Sequence, residues 1–219
     1  MDKVVSLSDF SVVVRQLADG AESDFVVIGG LAVGAWAQYF GIATDGPIFS
    51  KDIDLRGGRL LAQAFGQGMR LQGCKLKGFV TATRNNPPGL GKNYVIPLDL
   101  PDGRATVIEV LEAMPWVDDG PDRPYGFGVI IDGIPLLDPL SLFIGKLHAW
   151  YHRDLPELAS NDRIHLELLA NIIPAFSAEA QERGLDISER KEALGAVIQM
   201  HGTPLDPEAA KVLRESVGF

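Results

Sequence analysis

The chain has 219 residues, 46% hydrophobic and 22% charged, with Lys+Arg 20 against Asp+Glu 29 and a formal net charge of -9. That length and apolar fraction allow a sizeable core and exclude general disorder. A lone cysteine, Cys74, excludes a disulfide framework and a cysteine zinc cluster. It fits a reducing compartment, and the opening MDKVVSLSDF lacks the apolar stretch of a signal peptide, so a cytoplasmic location is expected.

In chain order, Ser8 caps a first helix through about residue 18, with Phe10, Val13, Val14 and Leu17 on one face and Gly20 ending it. Residues 25–44 (FVVIGGLAVGAWAQYFGIAT) carry no charge, a length that can cross a bilayer, and they contain Gly30-x-x-x-Gly34. The Gly29-Gly30 pair after a β-branched run, and Gln38 further on, favour a strand over 25–28 and a helix over 31–40 stopped by Gly41. No membrane partner is therefore expected.

Asp52-Ile53-Asp54-Leu55 alternates as a strand with both carboxylates on one face. Gly57-Gly58 leads into a helix ending near residue 69, and 75–83 reads as a strand. A further strand covers 93–100, where Pro97 removes a ladder donor and predicts an edge position. Pro101-Asp102-Gly103 is a hairpin turn, returning as a strand over 105–111. A second hairpin pairs 128–132 with 134–137 around Asp132-Gly133. Asp138-Pro139 caps a helix, and helices follow near 139–153, 161–173, 177–184, 187–200 and 206–217. The expected class is α/β (α+β): a mixed β-sheet flanked by helices over 1–137, with a C-terminal helical region over 138–219.

The charge is unevenly distributed. No acid occurs between Asp54 and Asp99, whereas Arg56, Arg59, Arg70, Lys75, Lys77, Arg84 and Lys92 do. Such a run is a solvated face or a patch for a polyanion or nucleoside triphosphate.

Three acids are candidates for chemistry. Glu109 stands between aliphatics in Val107-Ile108-Glu109-Val110-Leu111, where a carboxylate needs a counter-charge or a metal. With Asp52 and Asp54 it could hold two divalent cations for an in-line phosphoryl displacement, an arrangement of oxygen ligands that suits magnesium. Glycines at the turn before a helix let the backbone approach phosphate, and the helix N-terminus supplies free N–H groups. This reading requires the three acids to converge.

Ile28-Gly29-Gly30, Asp52-Ile53-Asp54-Leu55 and Ile108-Glu109-Val110, in this order, resemble the signature of the DNA polymerase β-like nucleotidyltransferases. GGLAVGAWAQYFG with SKDIDL is most similar to AbiEii-type members of toxin–antitoxin systems, and Asp138-Pro139 through Lys146-Leu147, with Arg153 and Asp162, extends the match. The resemblance covers about residues 25–170 and implies the nucleotidyltransferase fold. It implies that Asp52, Asp54 and Glu109 are catalytic and ligate two Mg2+ ions, with Mn2+ as a substitute. It places Gly29, Gly30, Ser50, Lys51 and Lys146 at the nucleotide, with Glu109 taking the proton of the attacking hydroxyl. The implied partners are an NTP, a hydroxyl acceptor that is RNA, protein or small molecule, with the basic run over 56–92 hinting at RNA, and a cognate antitoxin. Three departures stand out: Glu109 where many relatives have Asp, His165 where a carboxylate is common, and a spacing from Gly30 to Asp52 longer than in the most compact members.

Other patterns fall short. His148 and His152 lack the glutamate and third ligand of a zinc site. The segment Gly89-Leu90-Gly91-Lys92-Asn93 lacks the earlier glycine and the following Ser or Thr of a P-loop. A dinucleotide fold would need glycine where Leu31 stands. The rivals to NMP transfer are thus an inactive nucleotide-binding or interaction module of the same fold and a dinucleotide-binding oxidoreductase.

Overall fold

The structure, a computed structural model, describes residues 9–19, 25–43, 50, 52–82, 93–112, 114, 129–152 and 156–218. It divides into two units: Met1–Ala32 with Pro47–Leu137, and Val33–Gly46 with Asp138–Phe219. The second unit thus takes in residues 33–46, which the sequence pattern grouped with the first.

The first unit carries α1 (Ser11–Asp19), β1 (Val26–Val27), the start of α2 (Gly29–Tyr39), β2 (Asp52–Arg56), α3 (Arg59–Leu71), β3 (Lys75–Leu76), β4 (Val80–Ala82), β5 (Asn93–Asp99), β6 (Ala105–Leu111), β7 (Val129–Ile131) and β8 (Ile134–Leu136). The strands form one mixed sheet in the order β3-β5-β6-β2-β1-β8-β7, with β4 also on β5. The β2–β6 and β1–β8 pairs are parallel, and the others antiparallel. After α2 the chain returns antiparallel to β1, so β1, α2 and β2 do not make the parallel βαβ unit that a dinucleotide fold requires.

Both hairpins form as their turn residues dictate. Asp132 and Gly133 have φ of 51 and 77, the pair of positive values that a two-residue turn with right-handed twist demands. At the other hairpin the Gly103 N–H donates to the Leu100 carbonyl at 2.9 Å. Arg104 then ties that turn to the entry of α1 by an ion pair with Asp9.

Pro97 lies inside the sheet, not at its edge, because β5 has neighbours on both sides. Its carbonyl accepts from the Lys77 N–H at 2.8 Å, so its donorless nitrogen also faces the β3–β4 side. That is where the 75–83 strand breaks: β3 ends at Leu76 opposite Leu98, and β4 begins at Val80 opposite Val95. Between these pairs three residues, 77–79, lie against two on β5, Ile96 and Pro97, a bulge that absorbs the missing donor.

Alternation along the strands sends Ile53, Leu55, Tyr94, Ile96, Leu98, Ile108 and Val110 to one buried face. Helix α3, packed on β5 and β6, adds Leu61, Phe65 and Met69, α1 adds Val13 and Val14, and Phe10 joins them from just before α1. Each such large side chain contributes roughly 1.5–3 kcal/mol. With one face closed, the other is left for the acids.

The second unit holds α4 (Pro139–His152), α5 (Pro156–Glu182), α6 (Ser188–His201) and α7 (Pro207–Val217). Asp138 caps α4 by accepting from the Ser141 N–H at 2.9 Å, and Asp206 caps α7 through Glu208 and Ala209. The two helices expected over 161–173 and 177–184 are one, running through Pro174. An interior proline costs about 3 kcal/mol. The buried stripe Leu166, Leu169, Ile172, Ile173 and Phe176 offsets that cost by packing on both sides of it.

Trp36, on the later part of α2, meets Phe176 edge-on at 5.4 Å, and the Tyr39 hydroxyl donates to Glu179 at 2.8 Å. These partners tie the later part of α2 to the helical unit. Helix α2 begins at Gly29, so the glycine pair forms its first turn instead of preceding it. Among the described residues, no helix is long and apolar enough to cross a membrane.

Candidate active site

In the parallel β2–β6 register Asp52 pairs with Val107 and Asp54 with Glu109. Neighbouring strands lie about 4.8 Å apart, and residues two apart share a face. Asp52, Asp54 and Glu109 therefore project from the same face, opposite the buried Ile53, Leu55, Ile108 and Val110. All three acids are half-buried. Glu109 is thus not enclosed among aliphatics as its neighbours in sequence suggested, because alternation turns Ile108 and Val110 away from it.

Asp52 is held by Ser50, whose hydroxyl donates to Oδ1 at 2.8 Å. Ser50 is itself buried, at 8% exposure. Asp54 is placed by backbone pairing: the Ile28 N–H donates to the Asp54 carbonyl at 2.9 Å, bringing the start of α2 beside it. Gly29 has φ of +70, and a Cβ there would lie 1.9 Å from Asp54 Oδ2 and 2.7 Å from its Cγ. Only glycine meets both demands, the left-handed backbone and the carboxylate against it. Gly30 follows as a buried residue in the first turn of α2.

The donor set suits a hard divalent cation: carboxylate oxygens on one half-exposed face, leaving room for water or phosphate in the shell. The side chains are not gathered into a finished shell. Among the described residues, no group of three His, Cys, Asp or Glu side chains is arranged to hold a metal ion. Asp54 lies against Gly29. Shared face and chemistry fit magnesium, then, whereas the expected convergence is not present in these rotamers.

The other expected residues distribute as follows. Lys51 and Arg153 lie outside the described residues. Lys146 stands on α4 in the helical unit, its Nζ 3.1 Å from Oδ1 of Asp162, which is 1% exposed. His165 lies one turn on from Asp162 along α5. Of the basic run, Arg56 is buried with its guanidinium toward the Leu111 carbonyl, and Lys77 pairs with Asp99 at 2.7 Å. Arg59, Arg70 and Lys75 are exposed, and Arg84 and Lys92 lie outside the described residues. Sequence reasoning missed two relationships, Ser50 with Asp52 and Gly29 with Asp54. The first had a local signal in its two-residue spacing, and the second depends on the antiparallel β1–β2 pairing.

A mixed sheet with α1, α3 and the start of α2 in the first unit, and a helical second unit, make seven helices among the described residues, an α/β arrangement consistent with a nucleotidyltransferase fold. No protein-family model matches the chain, and no curated protein matches it in sequence. Among solved structures, JHP933 from Helicobacter pylori shares the fold, with a TM-score of 0.50 over 96% of this chain and 88% of that one, at 16% identity. An antigenic nucleotidyltransferase-like protein from Paracoccidioides brasiliensis is similar at TM-score 0.49 and 18% identity, over 97% of this chain and 95% of that one. ANT(2'')-Ia in complex with adenylyl-2''-tobramycin gives TM-score 0.47 and 14% identity, over 89% and 99%. At such identities likeness concerns the fold alone.

Proposed function

We propose that the chain is a magnesium-dependent nucleotidyltransferase, moving a nucleoside monophosphate from an NTP to a hydroxyl acceptor. One observation carries this reading: Asp52, Asp54 and Glu109 share the half-exposed face of β2–β6, with the glycine start of α2 directly against Asp54. Asp52, Asp54 and Glu109 would hold the magnesium ions, which when bound supply positive charge to the triphosphate oxygens. The first N–H groups of α2, at Gly29 and Gly30, are unsatisfied within the helix and suit phosphate oxygens. In the transfer the acceptor oxygen bonds to the α-phosphorus while the bond from that phosphorus to the bridging oxygen breaks. Pyrophosphate leaves, and the hydroxyl proton passes to Glu109.

The acceptors compatible with this reading are RNA, a protein or a small molecule; the exposed Arg59, Arg70 and Lys75 suit a polyanion, but Arg59 and Arg70 stand on α3, across the sheet from the acids, and do not choose among them. Resemblance to the AbiEii-type proteins adds a toxin–antitoxin setting with a cognate antitoxin. The test is incubation with each α-labelled NTP, Mg2+, total RNA and a protein extract. The reading expects α-label, and no γ-label, to become covalently attached to one acceptor. Absence of label with every NTP, or transfer of γ-label, overturns it.

A second reading is an inactive nucleotide-binding module of the same fold, favoured by carboxylates that are not gathered around an ion site. It expects Asp54→Asn to bind ATP as wild type does, with no label transferred by either protein.

A further inference from the structure

We infer that Ser50 is a positioning residue that fixes the Asp52 carboxylate for metal, and is not itself a ligand of the nucleotide. This rests on the proposed nucleotidyltransferase site and assigns one of its residues a different task. Ser50 and Asp52 are two apart in sequence, the spacing at which side chains leave one side of a strand. The hydroxyl is buried and needs a partner, and it finds one at 2.8 Å in Asp52 Oδ1.

The direction of that bond decides the role. An ionised carboxylate only accepts, so the single hydroxyl proton of Ser50 is committed to Asp52. What remains on the serine oxygen is lone pairs, which repel phosphate oxygens. A carboxylate torsion is otherwise broad, so fixing Oδ1 sets the plane of the group and the direction of Oδ2. Hydrogen-bonded supports of this kind orient metal ligands, and their loss weakens metal affinity about 10–100-fold.

The test is nucleotide-free Mn2+ binding to the full chain, followed by paramagnetic resonance. Wild type and Asp54→Asn establish whether the acid face binds the ion at all. Ser50→Ala is expected to bind Mn2+ at least about tenfold more weakly, and Ser50→Thr, which keeps the hydroxyl, to restore it to near the wild-type value. In turnover, Ser50→Ala should need more metal for half-maximal rate, with the NTP KM unchanged at saturating Mn2+. Should Ser50→Ala fail to fold, Ser50→Cys, of similar size and a weak donor, is expected to show the same loss of Mn2+ affinity. Wild-type Mn2+ affinity in Ser50→Ala or, where that variant fails to fold, in Ser50→Cys overturns the inference, as does a raised NTP KM with unchanged metal affinity. If wild type binds no Mn2+ that Asp54→Asn abolishes, the nucleotidyltransferase reading itself fails.

Discussion

Acids in the two units are treated in opposite ways. In the helical unit Asp138 and Asp162 are 0% and 1% exposed, and the chain supplies each with a partner: the Ser141 N–H for one and the Lys146 ammonium for the other. In the sheet unit Asp52, Asp54 and Glu109 stay half-buried on one face. Burying a carboxylate is tolerable only when protein replaces its water. The first pair is therefore committed to partners inside the fold. The sheet acids keep part of their hydration and so remain able to exchange it for ligands.

The contrast can be broken at either end. The largest stability effect is expected from Lys146→Met, which removes the ammonium paired with the buried Asp162 carboxylate and should cost about 3–5 kcal/mol in denaturant unfolding. Asp54→Asn should do the reverse, leaving the melt within a few degrees of wild type while lowering label transfer roughly 10²–10³-fold. If Asp54→Asn unfolds the chain and Lys146→Met does not, the division of labour is wrong. Gly29→Ala comes next: backbone strain alone is about 1–3 kcal/mol, with the carboxylate contact added. It should melt well below Gly30→Ala, since Gly30 does not have a positive φ.

The smallest effect concerns Asp138. Burial pushes its carboxyl above the ordinary range, opposed in part by Ser141 and the Arg190 charge. The folded chain therefore binds that proton more tightly than the unfolded chain does. The stabilising contribution is complete below the unfolded carboxylate value of about 3.9 and is lost as pH rises through the folded one. Asp138→Asn keeps a capping oxygen and removes the charge. It should melt higher than wild type at pH 7, with the gap closing below pH 4.

What could be read in the sequence was what local chemistry decides. Asp132-Gly133 and Pro101-Asp102-Gly103 specify their turns whatever surrounds them, and Asp138-Pro139 specifies a helix start. Asp52-Ile53-Asp54 shows in its alternation that the two acids share a face. Long-range pairing was hidden. Nothing local says that Pro97 would lie in an inner strand beside a bulge, or that the stripe around Pro174 would carry α5 through it. Nor does the run around Glu109 disclose that β2 lies alongside it, pairing Asp54 with Glu109. Gly29 was legible as a special residue, but its reason was incomplete: the carboxylate it accommodates comes from a strand more than twenty residues on.

The most direct measurement is a crystal of the full chain grown with Mn2+ and a non-hydrolysable NTP, recorded at the manganese absorption edge. Two anomalous peaks about 3.5–4 Å apart, bounded by Asp52, Asp54 and Glu109, are the predicted result, with the Asp54 carboxylate moved off Gly29. Nucleotide bound with no manganese on that face would contradict the account.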